Sequence, residues 1–283
     1  MKLHLPKWAP PLLLIITAAL FARYWQTHPG LGQTLQQANP WGLVLIGVLF
    51  AISIGCIAAV YAVLLQICGL RLKQSENFAL TGYSTIANFF GPGQSGPGVR
   101  AVYLKKKHGL KLRDYTVATL LYYAVYAVLS GLLLLGSSGQ YWPWAVLGFM
   151  GIVAVVWLVL HKWPPTRLNV SSKLLVLLTL AVFAQLLCYI LIYAVELHLV
   201  QAHASLRQIV AYAGAANFSL FVSLTPGGIG IREAFLAFST KLHGIGLGSI
   251  VAANVLDRAV YVVVLGILFL FLSSLHLKKR FKV

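Results

Sequence analysis

The sequence predicts an all-α polytopic membrane protein, with six transmembrane helices and two re-entrant broken-helix hairpins in an inverted-topology repeat. Three observations carry that reading. Of 283 residues, 59% are hydrophobic and only 10% charged, against about 25% charged in an ordinary soluble domain. The mean hydropathy is +0.84. Six apolar segments, about residues 9–25, 41–68, 115–136, 142–161, 173–198 and 249–275, can each cross a hydrocarbon core of about 30 Å as a helix rising about 1.5 Å per residue. Two further segments, 78–104 and 209–238, are apolar but broken at their centres by proline and glycine.

The elements follow in chain order. Lys2 and Lys7 precede an apolar run from Ala9 to Phe21, and Arg23-Tyr24-Trp25 reads as an interfacial belt. No A-x-A site follows, so an uncleaved first helix is predicted. The segment 41–68 is the second span. The segment 78–104 contains Gly91-Pro92-Gly93-Gln94-Ser95-Gly96-Pro97-Gly98. Proline lacks the amide donor and glycine opens the backbone, so this is two half-helices, each too short to span. Spans 115–136, 142–161 and 173–198 follow. The segment 209–238 breaks at Thr225-Pro226-Gly227-Gly228-Ile229-Gly230, and 249–275 is the last span.

Basic residues decide whether the broken segments cross. If both re-enter, sixteen Lys and Arg from Lys2 to Lys282 share one side, and only Arg23, Arg207 and Lys241 lie on the other. A single crossing by 78–104 would put Lys105–Arg113 opposite Arg71 and Lys73. The re-entrant arrangement obeys the positive-inside rule, with both termini cytoplasmic. The net charge of +17 is thus read as orientation and anionic-lipid contact, not nucleic-acid binding.

The halves repeat. Tyr61-Ala62-Val63 recurs at Tyr193-Ala194-Val195 and Gly98-Val99-Arg100 at Gly230-Ile231-Arg232, both 132 positions on. His108-Gly109 recurs at His243-Gly244 and Ala124-Val125-Tyr126 at Ala259-Val260-Tyr261, both 135 on. A single membrane domain, 1–283, then divides into repeat 1–136 with hairpin 78–104 and repeat 137–283 with hairpin 209–238. Three crossings in the first repeat invert the second. Inverted repeats with broken helices meeting near the midplane are a transporter architecture, and irregular backbone at membrane depth requires a protein-lined cavity.

The chemistry lies in that cavity. Arg100, Arg232 and Arg258 sit inside membrane segments, where a lone arginine costs at least about 2.5–3.5 kcal/mol. Arg100 and Arg232 each follow a break that starts a half-helix, with Ser95 and Thr225 as candidate caps. Free amides and the positive dipole end make each tip an anion site. The predicted substrate-binding residues are Arg100, Arg232, Gly227, Gly228, Gly230, Pro226, Thr225, Ser95 and Gly98. A plainer reading makes Arg100 and Arg232 snorkelling or ion-paired structural residues. Glu233, Asp257 and Arg258 are coupling or ion-pair candidates. Adjacent helical residues do not face one another, so the expected pairs cross segments: Asp257 with Arg232, Glu233 with Arg258. Glu196 is expected at the outer interface. Asn88 and Asn217 are candidates for satisfying broken backbone or lining the cavity. Tyr122, Tyr123, Tyr126 and Tyr261 are read as core or belt anchors.

No catalytic residue, metal ligand or cofactor is predicted. Cys56, Cys68 and Cys188 form no C-x-x-C pair and read as small apolar residues. The sequence has no G-x-x-x-x-G-K-[ST] loop, no H-E-x-x-H and no G-x-S-x-G elbow, and the chain is read as a non-enzyme.

Leu224-Thr225-Pro226-Gly227-Gly228-Ile229-Gly230-Ile231-Arg232-Glu233-Ala234 resembles the signature of the lysylphosphatidylglycerol synthase transmembrane-region family. The first hairpin is similar to that family's other Pro/Gly-rich turn. The resemblance covers nearly the whole chain and implies lipid translocation, with Pro226, Gly227, Gly228, Gly230, Arg232 and Glu233 as matching positions. It also implies a prokaryotic inner membrane. No synthase domain is read in this sequence, and what the resemblance implies is lipid translocation without specifying a lysyl-lipid. The leading expectation is a flippase or scramblase for an anionic (phospho)lipid, with a phospholipid, a glycolipid and a polyprenyl carrier all compatible with the resemblance. The alternatives are a secondary transporter of a small organic anion and a non-transporting partner subunit of a lipid-modifying enzyme. Expected partners are anionic membrane lipids, with a homo-oligomer or such an enzyme partner compatible with the sequence. A cysteine introduced at position 106 is expected to react with impermeant thiol reagents only from the cytoplasmic side. Labelling from outside would overturn the re-entrant topology.

Overall fold

A computed structural model describes residues 38–91, 95–136, 168–221 and 231–280, together with residues 26, 143–144, 146–148, 150–151 and 228. They belong almost entirely to one compact unit, Asn39–Val283, and the elements in them are helical. Four are long and apolar enough to cross a membrane: α1 (Pro40–Ile67), α4 (Leu112–Gly136), α5 (Ser172–Leu199) and the first 28 residues of α9 (Leu247–Arg280). The predicted spans 9–25 and 142–161 lie outside the described residues, apart from scattered helical positions in 143–151.

Local chemistry sets the helix ends. Asn39 caps α1 by accepting from the Trp41 amide at 3.0 Å, and Pro40 takes the first turn, where its missing donor is not needed. The helix stops at Cys68 because Gly69 turns left-handed, φ +72°. Ser171 caps α5. These helices have no polar face. Val44, Val48 and Ile52 on α1, Leu180, Phe183 and Leu191 on α5, and Val263, Ile267 and Leu270 on α9 all point outward. An outer surface this apolar is solvated by lipid, not water. The chain is an integral membrane protein.

The shorter helices pack among the long ones. α2 (Gln74–Phe90) and α3 (Ser95–His108) form a hairpin around the first break. Its arms of 17 and 14 residues reach roughly 25 and 21 Å, short of a full crossing. The predicted boundaries 78–104 undershoot both arms, because the polar starts and ends of α2 and α3 do not register as apolar sequence. Two contacts close the tip. The Ser95 hydroxyl donates to the Ala87 carbonyl, and the Gly96 amide donates to Asn88 Oδ1 at 3.4 Å. Gly96 is required there, since a Cβ would collide with the Ser84 carbonyl. At the base, Glu76 Oε1 accepts from Tyr103 at 2.7 Å and Lys107 at 2.9 Å, and lies 2.8 Å from His108 Nε2. The Lys107 ammonium, then the Tyr103 hydroxyl, hold the Glu76 carboxyl down to about 2.

The second broken segment is described at its two ends. α6 (Leu206–Phe218) starts in a Ser205/Gln208 capping box and tightens into a 3-10 turn at Ser219–Phe221. The far arm is α7 (Ile231–Phe238), a break at Ser239 and the single turn α8 (Thr240–His243), closed by left-handed Gly244. Thr225, Pro226, Gly227 and Gly230 lie outside the described residues.

α1 and α5 form the most extensive helix–helix contact and run antiparallel. Gly42 lies against Leu199, while the Ile67 carbonyl accepts from the Asn169 amide. Midway, Cys56 Sγ and Cys188 Sγ are 4.0 Å apart, and these residues are 132 positions apart. Helix starts recur at related offsets: α5 begins 132 after α1, α6 132 after α2, and α9 135 after α4. α6 also packs tightly on α4, where a Cβ on Gly214 would strike the Leu134 backbone. Gly214→Ala is therefore expected to cost about 1–3 kcal/mol through overpacking, lowering the thermal midpoint in detergent. Gly131→Ala on α4, where nothing lies within 4 Å, is the control and should leave the midpoint unchanged or slightly raised.

Candidate functional site

A cavity of about 180 Å³ lies where the tips of both broken segments meet α1, α4, α5 and α9. Its walls are built in pairs. Tyr61 and Tyr193, Thr85 and Asn217, Phe89 and Phe221, and Gly96 and Gly228 stand 132 positions apart. Tyr122 and Asp257, Tyr123 and Arg258, and Tyr126 and Tyr261 stand 135 apart. Seven tyrosines line it. The tyrosines at 122, 123, 126 and 261, read from sequence as packing or belt residues, are thus cavity residues. The signal was present in their i, i+4 spacing and their place in the repeat. It was missed because a buried wall and a buried core give the same apolar periodicity.

Arg100 and Arg232, 132 positions apart, are satisfied differently. Arg100 is fully buried, so the snorkelling reading does not hold for it. Its guanidinium donates to Thr81 Oγ1 at 2.6 Å, Asn77 Oδ1 at 3.3 Å and Ser84 Oγ at 3.4 Å, and lies 3.5 Å from the centre of the Tyr61 ring. Each acceptor is aimed by giving its own proton elsewhere. Asn77 donates to the Ala58 carbonyl, Thr81 to Asn77, and Ser84 to Thr81. Positions 77, 81 and 84 share one face of α2, so this cradle was legible as a polar stripe. Arg100 is not on the cavity wall, and Tyr61 presents its ring there instead. The expectation of an anion held directly by Arg100 meets a different arrangement: its Nη1 and Nη2 are engaged by its own hairpin, while its Nε meets no acceptor among the described residues. Ser95 is corrected, since its hydroxyl staples the two arms and does not cap the α3 amides. Gly98 is not on the wall either.

Around Arg232 there is no such cradle among the described residues. Ile209, Ala213 and Ala216 stand where Asn77, Thr81 and Ser84 stood, 132 positions earlier. Charge replaces it. Arg232 Nη1 donates to Asp257 Oδ2 at 2.8 Å, with the Tyr193 ring centre 5.3 Å away. Arg258 donates to Glu233 through Nε at 3.1 Å and Nη2 at 2.9 Å. Asp257 occupies the position equivalent to Tyr122. Both pairs cross from α7 to α9, as helical facing requires.

Arg232 is mostly buried, and its Nε and Nη2 meet no hydrogen-bond acceptor among the described residues. It lines the cavity with Gly228, whose φ of +69° suits glycine. A buried guanidinium with unused donors at a cavity wall is built to take an acceptor, best an anion. Asn217 orders the opposite wall, donating to the Ala213 carbonyl and accepting from the Tyr126 hydroxyl at 2.6 Å. Glu196 corrects an expectation: it is fully buried, not interfacial, and it interacts electrostatically with Asp257 and Arg232. Its place near the end of α5 suggested exposure, but α6 covers that end.

Removing one member of a buried ion pair leaves the other uncompensated. Asp257→Asn is expected to cost about 3–5 kcal/mol, seen as a lower thermal midpoint. The double variant Arg232→Gln/Asp257→Asn should lose less than the two single losses added together. Additive losses would show that the two side chains are not coupled.

No curated protein matches the chain. A family model described as the lysylphosphatidylglycerol synthase TM region matches residues 12–268. That span includes both hairpins, the cavity and all three membrane arginines, and the chain belongs to the lysylphosphatidylglycerol synthase transmembrane-region family.

Proposed function

We propose that this protein moves an anionic phospholipid between the leaflets of a prokaryotic inner membrane, as a flippase or scramblase and not as an enzyme. The observation that carries the reading is Arg232, a buried guanidinium with unused donors at the wall of a cavity inside a helical membrane protein. The phosphate rests on Arg232. The acyl tails stay in the bilayer, because about 180 Å³ is below the roughly 300–1,000 Å³ of a pocket that encloses a whole ligand.

The architecture in this proposal is an inverted repeat of six spans and two re-entrant hairpins, with both termini cytoplasmic. Several facts support it: the 132- and 135-residue offsets of the helix starts, the paired cavity walls, and the antiparallel α1–α5 contact with Cys56 against Cys188. Equivalent residues touch where a twofold axis passes between repeats. Rocking of one repeat against the other would carry the headgroup past the hairpin tips. Membrane lipids are the expected partners, and a separate lipid-modifying enzyme would supply or consume the lipid.

The test is leaflet exchange in liposomes holding the purified protein, with labelled anionic and zwitterionic lipids and an impermeant quencher. Exchange should favour the anionic lipid. It should fall about tenfold or more in Arg232→Gln, the loss of one charge-assisted hydrogen bond of about 1.5–3 kcal/mol. Wild-type exchange by a folded Arg232→Gln variant would refute the site. Uptake of a soluble organic anion without lipid exchange would reassign the protein as a solute transporter.

A further inference from the structure

Glu196 has no structural reason to be acidic. The equivalent position in the first repeat, 132 residues earlier, is Leu64, and both side chains are fully buried. Leu64 packs in an apolar cluster around Tyr61 and Leu186. Glu196 takes the matching position in α5, where neither carboxyl oxygen meets a donor among the described residues, and the side chain it approaches at hydrogen-bonding range is the Asp257 carboxyl. A lone carboxylate without donors is expensive in such surroundings, by several kcal/mol. A carboxylic acid carries its own donor.

Several charged and titratable groups surround it. From α7 comes Arg232 and from α9 Asp257; Tyr193 of α5 and Tyr212 of α6 also interact with it. Behind Tyr212, at 5.4 Å between ring centres, lies His243 of α8. Both His243 ring nitrogens are engaged, Nε2 with the Leu236 carbonyl and Nδ1 as acceptor from the Ile245 amide. Glu233 of α7 is turned away to Arg258. α1 contributes the apolar Ile46, Leu49 and Phe50 to the same cluster.

We propose that Glu196 is a proton-binding site whose occupancy is linked to the anion on Arg232, so that proton and phosphodiester bind together. The inference rests on the Arg232 reading above and adds the proton to it. With Glu196 ionised, a second negative charge acts on the Arg232–Asp257 pair through space. The cluster is then net negative and repels an incoming anion. With Glu196 protonated, Arg232 and Asp257 balance, and Nε and Nη2 of Arg232 are left for the ligand. The proton stays on the Glu196 carboxyl throughout and no covalent bond to the ligand forms. Linkage is reciprocal: the anion favours the proton as much as the proton favours the anion. A leaflet or pH gradient can then drive movement of the headgroup.

The experiment measures binding of two probes to the full chain in zwitterionic nanodiscs over a series of pH values. One probe is a short-chain phosphatidylglycerol; the other is its deacylated, water-soluble phosphodiester. Both keep one constant negative charge, so any pH dependence belongs to the protein. On the alkaline side of the Glu196 midpoint, wild-type affinity should fall about tenfold per pH unit, the signature of one linked proton. Glu196→Gln, which mimics the protonated acid, should bind tightly with no slope. Binding of the lipid alone assigns a lipid headgroup, and binding of both assigns the phosphodiester itself. Wild-type binding that is flat with pH, or a slope that persists in Glu196→Gln, would overturn the coupling and leave the anion site standing. No binding of either probe would refute the anion site and the coupling with it. Should Glu196→Gln fail to fold, infrared spectra of the wild type with isotope-labelled glutamate decide. The chain has three glutamates, and Glu76 and Glu233 are ion-paired. A protonated-glutamate band that strengthens on adding probe supports the site; its absence overturns it.

Discussion

A guanidinium in the apolar interior of a membrane protein must have its charge and its donors answered, and the centre of this molecule is arranged around that requirement. Arg100 and Arg232 occupy equivalent positions in the two halves, each against an equivalent tyrosine, Tyr61 and Tyr193. The first is answered by three neutral oxygens on one face of α2. The second is answered by one carboxylate from α9 and keeps two donors unspent. Neutral acceptors take Nη1 and Nη2 of Arg100, and the residue is not part of the cavity wall. A single ion pair holds Arg232 through Nη1, and the residue itself stands in the cavity wall. The two arginines thus differ in what answers their charge: neutral oxygens for Arg100, a carboxylate for Arg232.

The packing serves the same end. Glycine at 96 lets the arms of the first hairpin close on the Ser84 carbonyl, and glycine at 214 brings α6 onto the backbone of α4. Such close approach is how helices associate where no hydrophobic force separates protein from lipid. It leaves the space between the hairpin tips to tyrosines, whose rings fill volume while their hydroxyls supply polar contacts. Three cavity charges, Arg232, Asp257 and Arg258, all come from the second half. Among the described residues, the charges on the cavity wall are thus drawn from one part of the chain.

Much of this was legible beforehand. The four long helices described lie within a few residues of the predicted apolar segments, because an all-apolar helix long enough to span announces itself by composition. The cross-segment pairs of Arg232 with Asp257 and Glu233 with Arg258 followed from helical facing and from the scarcity of acids. Ser95 and Glu196 were misread for one reason: local sequence gives a position along a helix, not what covers it. Ser95 sits where a cap belongs, but Ala87 is nearer. Glu196 sits near a helix end, but α6 overlies it.

By itself, the sequence determined that the chain lives in a membrane as a helical protein, that it carries two Pro/Gly-broken segments, and that three arginines must be buried there. Those properties depend on composition, on backbone chemistry and on the spacing of residues along a helix, all of which are local. Tertiary structure alone decided which arginine faces a cavity. Arg100 and Arg232 have the same neighbours in sequence motif, a Gly-x-Arg after a break. Their difference lies in residues from other helices, Thr81 and Asn77 of α2 against Asp257 of α9, brought to the guanidinium by packing. The electrostatic answer to a buried charge is made through space, and only folding sets those distances.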